Sequence, residues 1–264
     1  MIKIIPNDII NGKIDHIDIK DATIVDCSYC PGLTSLPLWP QVSEVYCSEC
    51  PGLTSLPLWP QVTAVYCYGC SGLTSLPLWP LVTEVYCDYC TGLTSLPLWP
   101  QVTTVYCYGC TGLTILPNWP HVSKVDCLYC SGLISLPNWP HVTEVDCSEC
   151  PKLTSLPLWP LVTEVYCRGC TGLTTLPEWP QITSVNCRNC PKLTSLPEWI
   201  SNPLINSDIK LDLNLSNNVK TIEQCHSCLE TLEVYKCRKC IWCVCKECYQ
   251  KWNKKQCMHC KNIF

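Results

Sequence analysis

Along most of the chain, apolar residues return at the same places in every block of twenty. In the block that starts at Gln61 they are Val62, Val65, Cys67, Cys70 and Leu73, followed by Leu76 and Trp79, with polar or small residues between. Cysteine pairs recur from 27/30 to 187/190, and tryptophans from 39 to 199, nine units in unbroken register. The Val-Tyr-Cys run of each unit predicts a short strand, because β-branched and aromatic side chains suit a pleated, half-buried surface. The Leu36–Pro40 run and its copies up to Leu176–Pro180 hold two prolines each. Proline locks φ and has no N–H to give a helix, so the return path is predicted to be extended. One unit cannot bury its apolar face alone. Stacked units form one parallel sheet over one continuous core, a repeat solenoid.

The ends depart from the pattern. Ile14, Ile17 and Ile19 are repeat-like but out of register with Val25, and Leu213–Val219 reads as a final degenerate unit after a polar insertion around Ser201–Asp208. Terminal units must shield the core from water, so residues 1–224 are expected to be an array with its own caps.

Composition changes the picture through cysteine. The chain has 264 residues, 27 of them cysteine, 11 tryptophan and one, Phe264, phenylalanine. Eighteen cysteines belong to the array, where they read either as small buried hydrophobes in ladders or as a metal or redox site of C-x-x-C type. Packing is favoured, because both members of each pair occupy core positions. No apolar run reaches the roughly 18 residues of a membrane helix. The start of the chain does not read as a signal peptide, because Asn7 and Asp8 interrupt its short apolar run. The expected setting is therefore cytoplasmic and soluble, with no membrane partner.

The LxxLxLxxCxxL spacing, filled by Val62, Val65, Cys67, Cys70 and Leu73, resembles the leucine-rich-repeat consensus in its cysteine-containing form. The Leu-Thr-Ser-Leu-Pro run that follows is similar to the short repeats of bacterial effector ubiquitin ligases. The resemblance covers residues 14–222. It implies a horseshoe or arc with a short parallel β-sheet on the concave side and an extended, polyproline or 3-10, convex side. The near-identical units also resemble repeat proteins of large amoeba-infecting DNA viruses, which implies a host-cytoplasm setting.

Strand residues flanking Val65 point away from the core. They make a ladder of Tyr46, Tyr66, Tyr86, Tyr106, Asp126, Asp146, Tyr166 and Asn186, beside a row running from Glu44 to Ser184. Tyrosine joins apolar area to a polar tip, so the ladder is the candidate surface for a protein partner. The alternative is that these tyrosines merely cover their own sheet. Residues 1–224 carry 10 Lys/Arg and 19 Asp/Glu, a net of about −9 by formal count, which points to a polar or basic protein and away from nucleic acid.

The chemistry changes at Cys225. Residues 225–264 hold nine cysteines and a net charge of about +5 by formal count. Such a segment is too small for a self-sufficient core. Four C-x-x-C pairs suit two tetrahedral zinc ions, with disulfides as the alternative. The spacing resembles a RING finger, a ubiquitin-ligase module and a small α+β zinc domain. That resemblance implies cross-brace ligation. Cys225, Cys228, Cys245 and Cys248 would hold one Zn2+. Cys257 and Cys260 would hold the other, with Cys237 and Cys240, or with Cys243 as a substitute. It also implies that Trp252 contacts a ubiquitin-conjugating enzyme and that Lys261 is the linchpin bracing ubiquitin. Ser227 and Met258 depart from the family at positions that help form that contact.

Three function classes follow. The first is a RING-type ubiquitin-protein ligase whose array selects a protein substrate. The second is a non-enzymatic adaptor with a structural zinc domain. The third, a nucleic-acid-binding zinc module, is weakened by scattered basic residues that match no base-reading finger. No phosphate loop, Ser-His-Asp set or small-molecule site is legible.

Overall fold

The structure is a computed structural model. It describes residues 1–14, 21–193 and 197, and the backbone of residues 210–212, 222–224, 231–236 and 243–245. The chain divides into two compact units, Met1–Ser195 with Asp208–Asn214, and Leu196–Ser207 with Leu215–Phe264.

The first unit is built on an eleven-stranded sheet in strict chain order. Its strands are β1 (Ile2–Lys3), β2 (Ile24–Asp26), β3 (Glu44–Tyr46), β4 (Ala64–Tyr66), β5 (Glu84–Tyr86) and β6 (Thr104–Tyr106), then β7 (Lys124–Asp126), β8 (Glu144–Asp146), β9 (Glu164–Tyr166), β10 (Ser184–Asn186) and β11 (Lys210–Asp212). Every neighbouring pair is parallel, and from β2 to β10 the register advances by one unit of twenty, as in Val45 opposite Val65 and Val65 opposite Val85. A parallel-strand β-solenoid is what stacked identical units must give. Each strand meets the next turn's copy of itself.

It helps to number positions within a unit, with residues 41, 61 and 81 as position 1. The strand occupies positions 4–6, one residue earlier than the Val-Tyr-Cys reading placed it. The cysteine still joins the ladder. The Cys47 amide donates to the Tyr66 carbonyl at 2.8 Å, and the position-9 amide of Glu49 donates to Tyr68 at 2.7 Å. Pairing therefore outlasts the regular strand by three residues. It breaks pleat because position 9 sits in the left-handed region in every unit from Tyr29 (φ 60) to Asn189 (φ 58).

Alternation on so short a strand sends the central valine inward and its neighbours outward. Val65, Cys67, Cys70, Leu73 and Val62 have no exposed surface, and Leu76 and Trp79 complete the core. The position-10 thiols carry a second role. Each donates to the position-7 carbonyl of the preceding unit, from Cys50 to Cys27 (3.1 Å) through Cys110 to Cys87 (3.0 Å) to Cys190 to Cys167 (3.1 Å). These carbonyls lie where the strand has ended, so the thiol supplies a donor the sheet cannot. The expected packed cysteine ladders are present, with hydrogen bonding added.

The return side, positions 13–19, carries no helix in any described repeat, so of the two expected forms the 3-10 one is not adopted there. Prolines at positions 17 and 20 remove the amides a 3-10 turn would need. Instead the Trp59 amide closes a three-residue turn on the Pro57 carbonyl at 3.0 Å. The indoles form a second column. Trp39 to Trp179 stack with centroids 5.6–6.1 Å apart and planes within 11°. From Trp59 to Trp179, each indole N–H also donates to a proline carbonyl of the unit before, at 2.9–3.0 Å, which settles the one polar atom of a buried ring.

The ends differ from expectation in detail. The sheet begins at Ile2–Lys3, a strand too short to be legible in the sequence, with Ile4 and Ile14 buried behind it. Ile17 and Ile19 lie outside the described residues. The last strand is Lys210–Asp212, with Leu211 opposite Val185. It precedes the Leu213–Val219 segment read as the final unit, which also lies outside the described residues.

In the second unit the described backbone is a three-stranded antiparallel sheet of β12 (Ile222–Gln224), β13 (Thr231–Lys236) and β14 (Cys243–Cys245).

Candidate protein-recognition face

The outward residues of the strands are where the two sides of the array part company. Tyr46, Tyr66, Tyr86 and Tyr106 lie at position 6 of consecutive units, so the sheet spacing sets their rings face to face. Centroids are 4.4, 4.6 and 4.8 Å apart, with planes within 12°. Inter-strand distance in a sheet is about 4.7–4.9 Å. The stack is thus the sheet's own spacing carried outward by side chains. Tyr46 and Tyr86 donate their hydroxyls to Glu44 (3.0 Å) and Glu84 (3.1 Å), two residues back on the same strand. Burial, with the glutamate bond second, pushes both phenols up to about 12, so they stay protonated donors. Tyr166 repeats the arrangement with Glu164 at 2.7 Å.

One end of the stack is closed by a cation. The Lys124 ammonium lies 5.7 Å from the centre of the Tyr106 ring and 2.8 Å from the Glu144 carboxylate. The Glu144 bond holds this lysine above its ordinary pKa.

Asp126 and Asp146 interrupt the ladder and do something else. Each turns its carboxylate onto the amide two residues on, Leu128 (3.0 Å) and Ser148 (2.8 Å), capping the tight turn that follows the strand. Burial raises both above the usual carboxylate range, Asp126 to about 6, with the neighbouring Asp146 and Asp88 charges adding to it. The eight ladder residues therefore share one face but differ in role: Tyr46, Tyr66, Tyr86 and Tyr106 stack, Tyr166 bonds Glu164 beside Asp146 and Asn186, and Asp126, Asp146 and Asn186 accept the amide two residues on.

A second aromatic group was not legible as a site. Tyr68, Tyr89, Tyr108 and Tyr129 occupy positions 8 and 9, on the turn beside the strand ladder. They meet edge to face at 5.4 and 4.6 Å, then tilted at 5.6 Å. The signal that could have revealed them is a 40-residue alternation, Tyr-Gly at 68/69 and 108/109 against a following tyrosine at 89 and 129. At Gly109 the room is tight, because a Cβ there would stand 2.9 Å from the Tyr89 ring, whereas Tyr29 and Tyr129 are each followed one unit on by a glutamate, Glu49 and Glu149.

The array thiols are pushed in both directions, and hydrogen bonding with Cys47 and with Cys167 lowers Cys70 and Cys190 below the ordinary thiol value. Cys67, Cys87 and Cys107 are held well above the ordinary thiol value by hydrogen bonding with the position-10 thiol of the next unit and by burial. Among the described residues no group of three or more ligating side chains could hold a metal ion. The zinc-ligand candidates Cys225, Cys228, Cys237, Cys240, Cys248, Cys257 and Cys260, and the contact residues Trp252 and Lys261, lie outside the described residues. Cys243 and Cys245 are described only as backbone, at the two ends of β14.

No family model matches this chain, and no curated protein matches it. Among solved structures, a leucine-rich repeat protein from Bacteroides ovatus ATCC 8483 is similar over 76% of this chain and 82% of its own, at 14% identity and a TM-score of 0.25. A superposition that loose carries no argument, and the solenoid stands on its own strand register. Fold and face together define a repeat solenoid with an ordered, tyrosine-lined strand side. Among the described residues no helix is long and apolar enough to cross a membrane.

Proposed function

We propose that the array is a protein-recognition element and that its strand side is the contact surface. The observation that carries this is the Tyr46–Tyr106 stack. Four rings are held face to face at the spacing of the sheet, so they can bury area on a partner at little cost in side-chain entropy. The test is paired affinity selection with the full chain and with Tyr66→Ala/Tyr86→Ala. A partner held by the wild type and released by the variant is expected. If every captured protein binds both forms equally, the stack is only a cover for its sheet.

A finer reading is favoured by the cysteine spacing of residues 225–264 together with Trp252 and Lys261. In it the chain is a RING-type ubiquitin-protein ligase. The array holds a protein substrate and the tail holds a conjugating enzyme charged with ubiquitin. Thiolate pairs are the donor set zinc prefers, and two ions would fold a segment that cannot build a core. Such a ligase works by proximity and orientation and needs no nucleophile of its own. Autoubiquitination with a panel of conjugating enzymes is expected to be lost in Trp252→Ala and reduced in Lys261→Ala, with two zinc ions per chain by metal analysis. No activity from a chain that still binds two zinc ions makes it an adaptor.

A further inference from the structure

Between Ala22 and Cys150, charge and tyrosine are confined to one strip of the array. Between Asp21 and Cys150 the chain carries ten carboxylates and a single Lys/Arg, Lys124. All of these carboxylates but Asp21, and all nine tyrosines of that stretch, fall at positions 4, 6, 8 or 9. Those positions are the strand and the turn beside it. The return side of the same units is uncharged, so the acidity is a property of one surface.

Within that strip the two tyrosine groups offer different chemistry. The ladder rings cover one another's faces, and Tyr46 and Tyr86 donate their hydroxyls to Glu44 and Glu84. The turn tyrosines meet edge to face, which leaves ring faces toward solvent; Tyr68, Tyr89 and Tyr129 are 40%, 39% and 48% exposed. An open phenol face beside a carboxylate is what a guanidinium needs, since it stacks on the ring and bonds the acid in its own plane. The chain's own cations show the two halves of such a site, a ring with a carboxylate for a lysine and a turn carboxylate for an arginine. Lys124 sits against Tyr106 and Glu144. Arg168, at position 8, takes the place that Tyr68 and Tyr108 hold elsewhere and lies 3.9 Å from Glu149 at position 9.

We infer that the turn surface formed by Glu49, Tyr68, Asp88, Tyr89, Tyr108 and Tyr129 binds an arginine-bearing segment of a partner protein. This rests on the recognition reading above and adds to it a second surface and a partner chemistry. Glu49 supplies the charge, together with Asp88, whose Oδ1 also accepts the Tyr108 amide at 2.8 Å, and the tyrosines of these and the following units supply the ring faces. Lysine fits less well, because a compact ammonium is strongly hydrated and cannot stack.

The test uses the full chain and three fluorescein-labelled peptides, a Gly-Arg repeat and its Gly-Lys and Gly-Glu counterparts, read by anisotropy. The expected order is arginine tighter than lysine by about tenfold, with no glutamate binding. Tyr89→Ala/Tyr108→Ala is expected to weaken arginine binding about tenfold or more, and Tyr89→Phe/Tyr108→Phe to keep most of it, because the ring face is retained. The paired phenylalanine variant also guards against a loss caused by misfolding. Equal affinity for arginine and lysine peptides overturns the proposal, since charge alone explains it. So does binding that survives the turn variant and is lost in Tyr66→Ala/Tyr86→Ala, an outcome that leaves the strand face as the recognition surface. No arginine binding by folded wild type overturns the turn surface alone, and the paired affinity selection then decides the strand face separately.

Discussion

The return side and the strand side of the array repeat with the same period but vary to different degrees. Positions 13–20 read Leu-Thr-Ser-Leu-Pro-Leu-Trp-Pro with few changes, while positions 4, 6, 8 and 9 hold glutamate, alanine, lysine, tyrosine, aspartate, glycine and arginine by turns. The difference follows from what each residue touches. Trp99 packs between Trp79 and Trp119 and bonds Pro77, so its partners are copies of itself. A change in one unit damages two interfaces. An outward strand residue touches its neighbours on one face and solvent on the other, so it is free to differ. The invariant side holds the stack together, and the variable side is where recognition can be written.

That contrast can be broken most sharply at Trp99. Trp99→Ala removes two ring contacts and a buried hydrogen bond, and is expected to cost about 3–5 kcal/mol in urea unfolding. Trp39→Ala, at the end of the column with one stacked neighbour, should cost distinctly less. Equal costs would mean the column does not act as a column.

Next come the two small residues that link the sides. Cys110→Ala leaves the Cys87 carbonyl without its thiol donor and is expected to cost about 1–2 kcal/mol, whereas Cys110→Ser keeps a donor and should recover part of the loss. Gly109→Ala meets both a left-handed φ of 68 and the Tyr89 ring, for about 1–2 kcal/mol by thermal unfolding. Combining it with Tyr89→Ala should return about half of that cost, because only the backbone part remains.

The smallest effect is at Asp126. Its folded pKa, about 6, lies above the ordinary carboxylate value, so the native state binds the proton more tightly than the unfolded chain does. Its contribution to stability is full below about pH 4 and is lost as pH rises through 6. Asp126→Asn keeps the acceptor for Leu128 and removes the charge. The variant should be more stable than wild type at pH 7.5, by about 1 kcal/mol once partial solvent screening is allowed for. The two should converge near pH 4, and a gap that does not close with falling pH would exclude desolvation as its cause.

Much of this was legible from the repeat. The period, the parallel stack, the inward Val65 and Cys67, and the outward Tyr46–Tyr106 series all follow from a two-residue alternation applied to identical blocks. Asp126 and Asp146 were read correctly as facing outward, yet their bonds to the Leu128 and Ser148 amides form in the turn after the strand, which a two-residue alternation does not describe. The turn tyrosines were missed for a related reason. Tyr68 and Tyr89 sit one position apart within the unit, and become neighbours only when two units stack.

By itself, the sequence determined the unit length, the core positions and, between Ala22 and Cys150, the confinement of charge to one strip, because a period of twenty brings each position to the same place on every turn. The tertiary structure decided what stacking adds. It set thiols onto carbonyls of the unit before, indoles onto prolines 22 residues back, and Tyr89 against the space left by Gly109. These contacts join residues of different units through the rise and twist from one turn to the next, a distance no single block encodes.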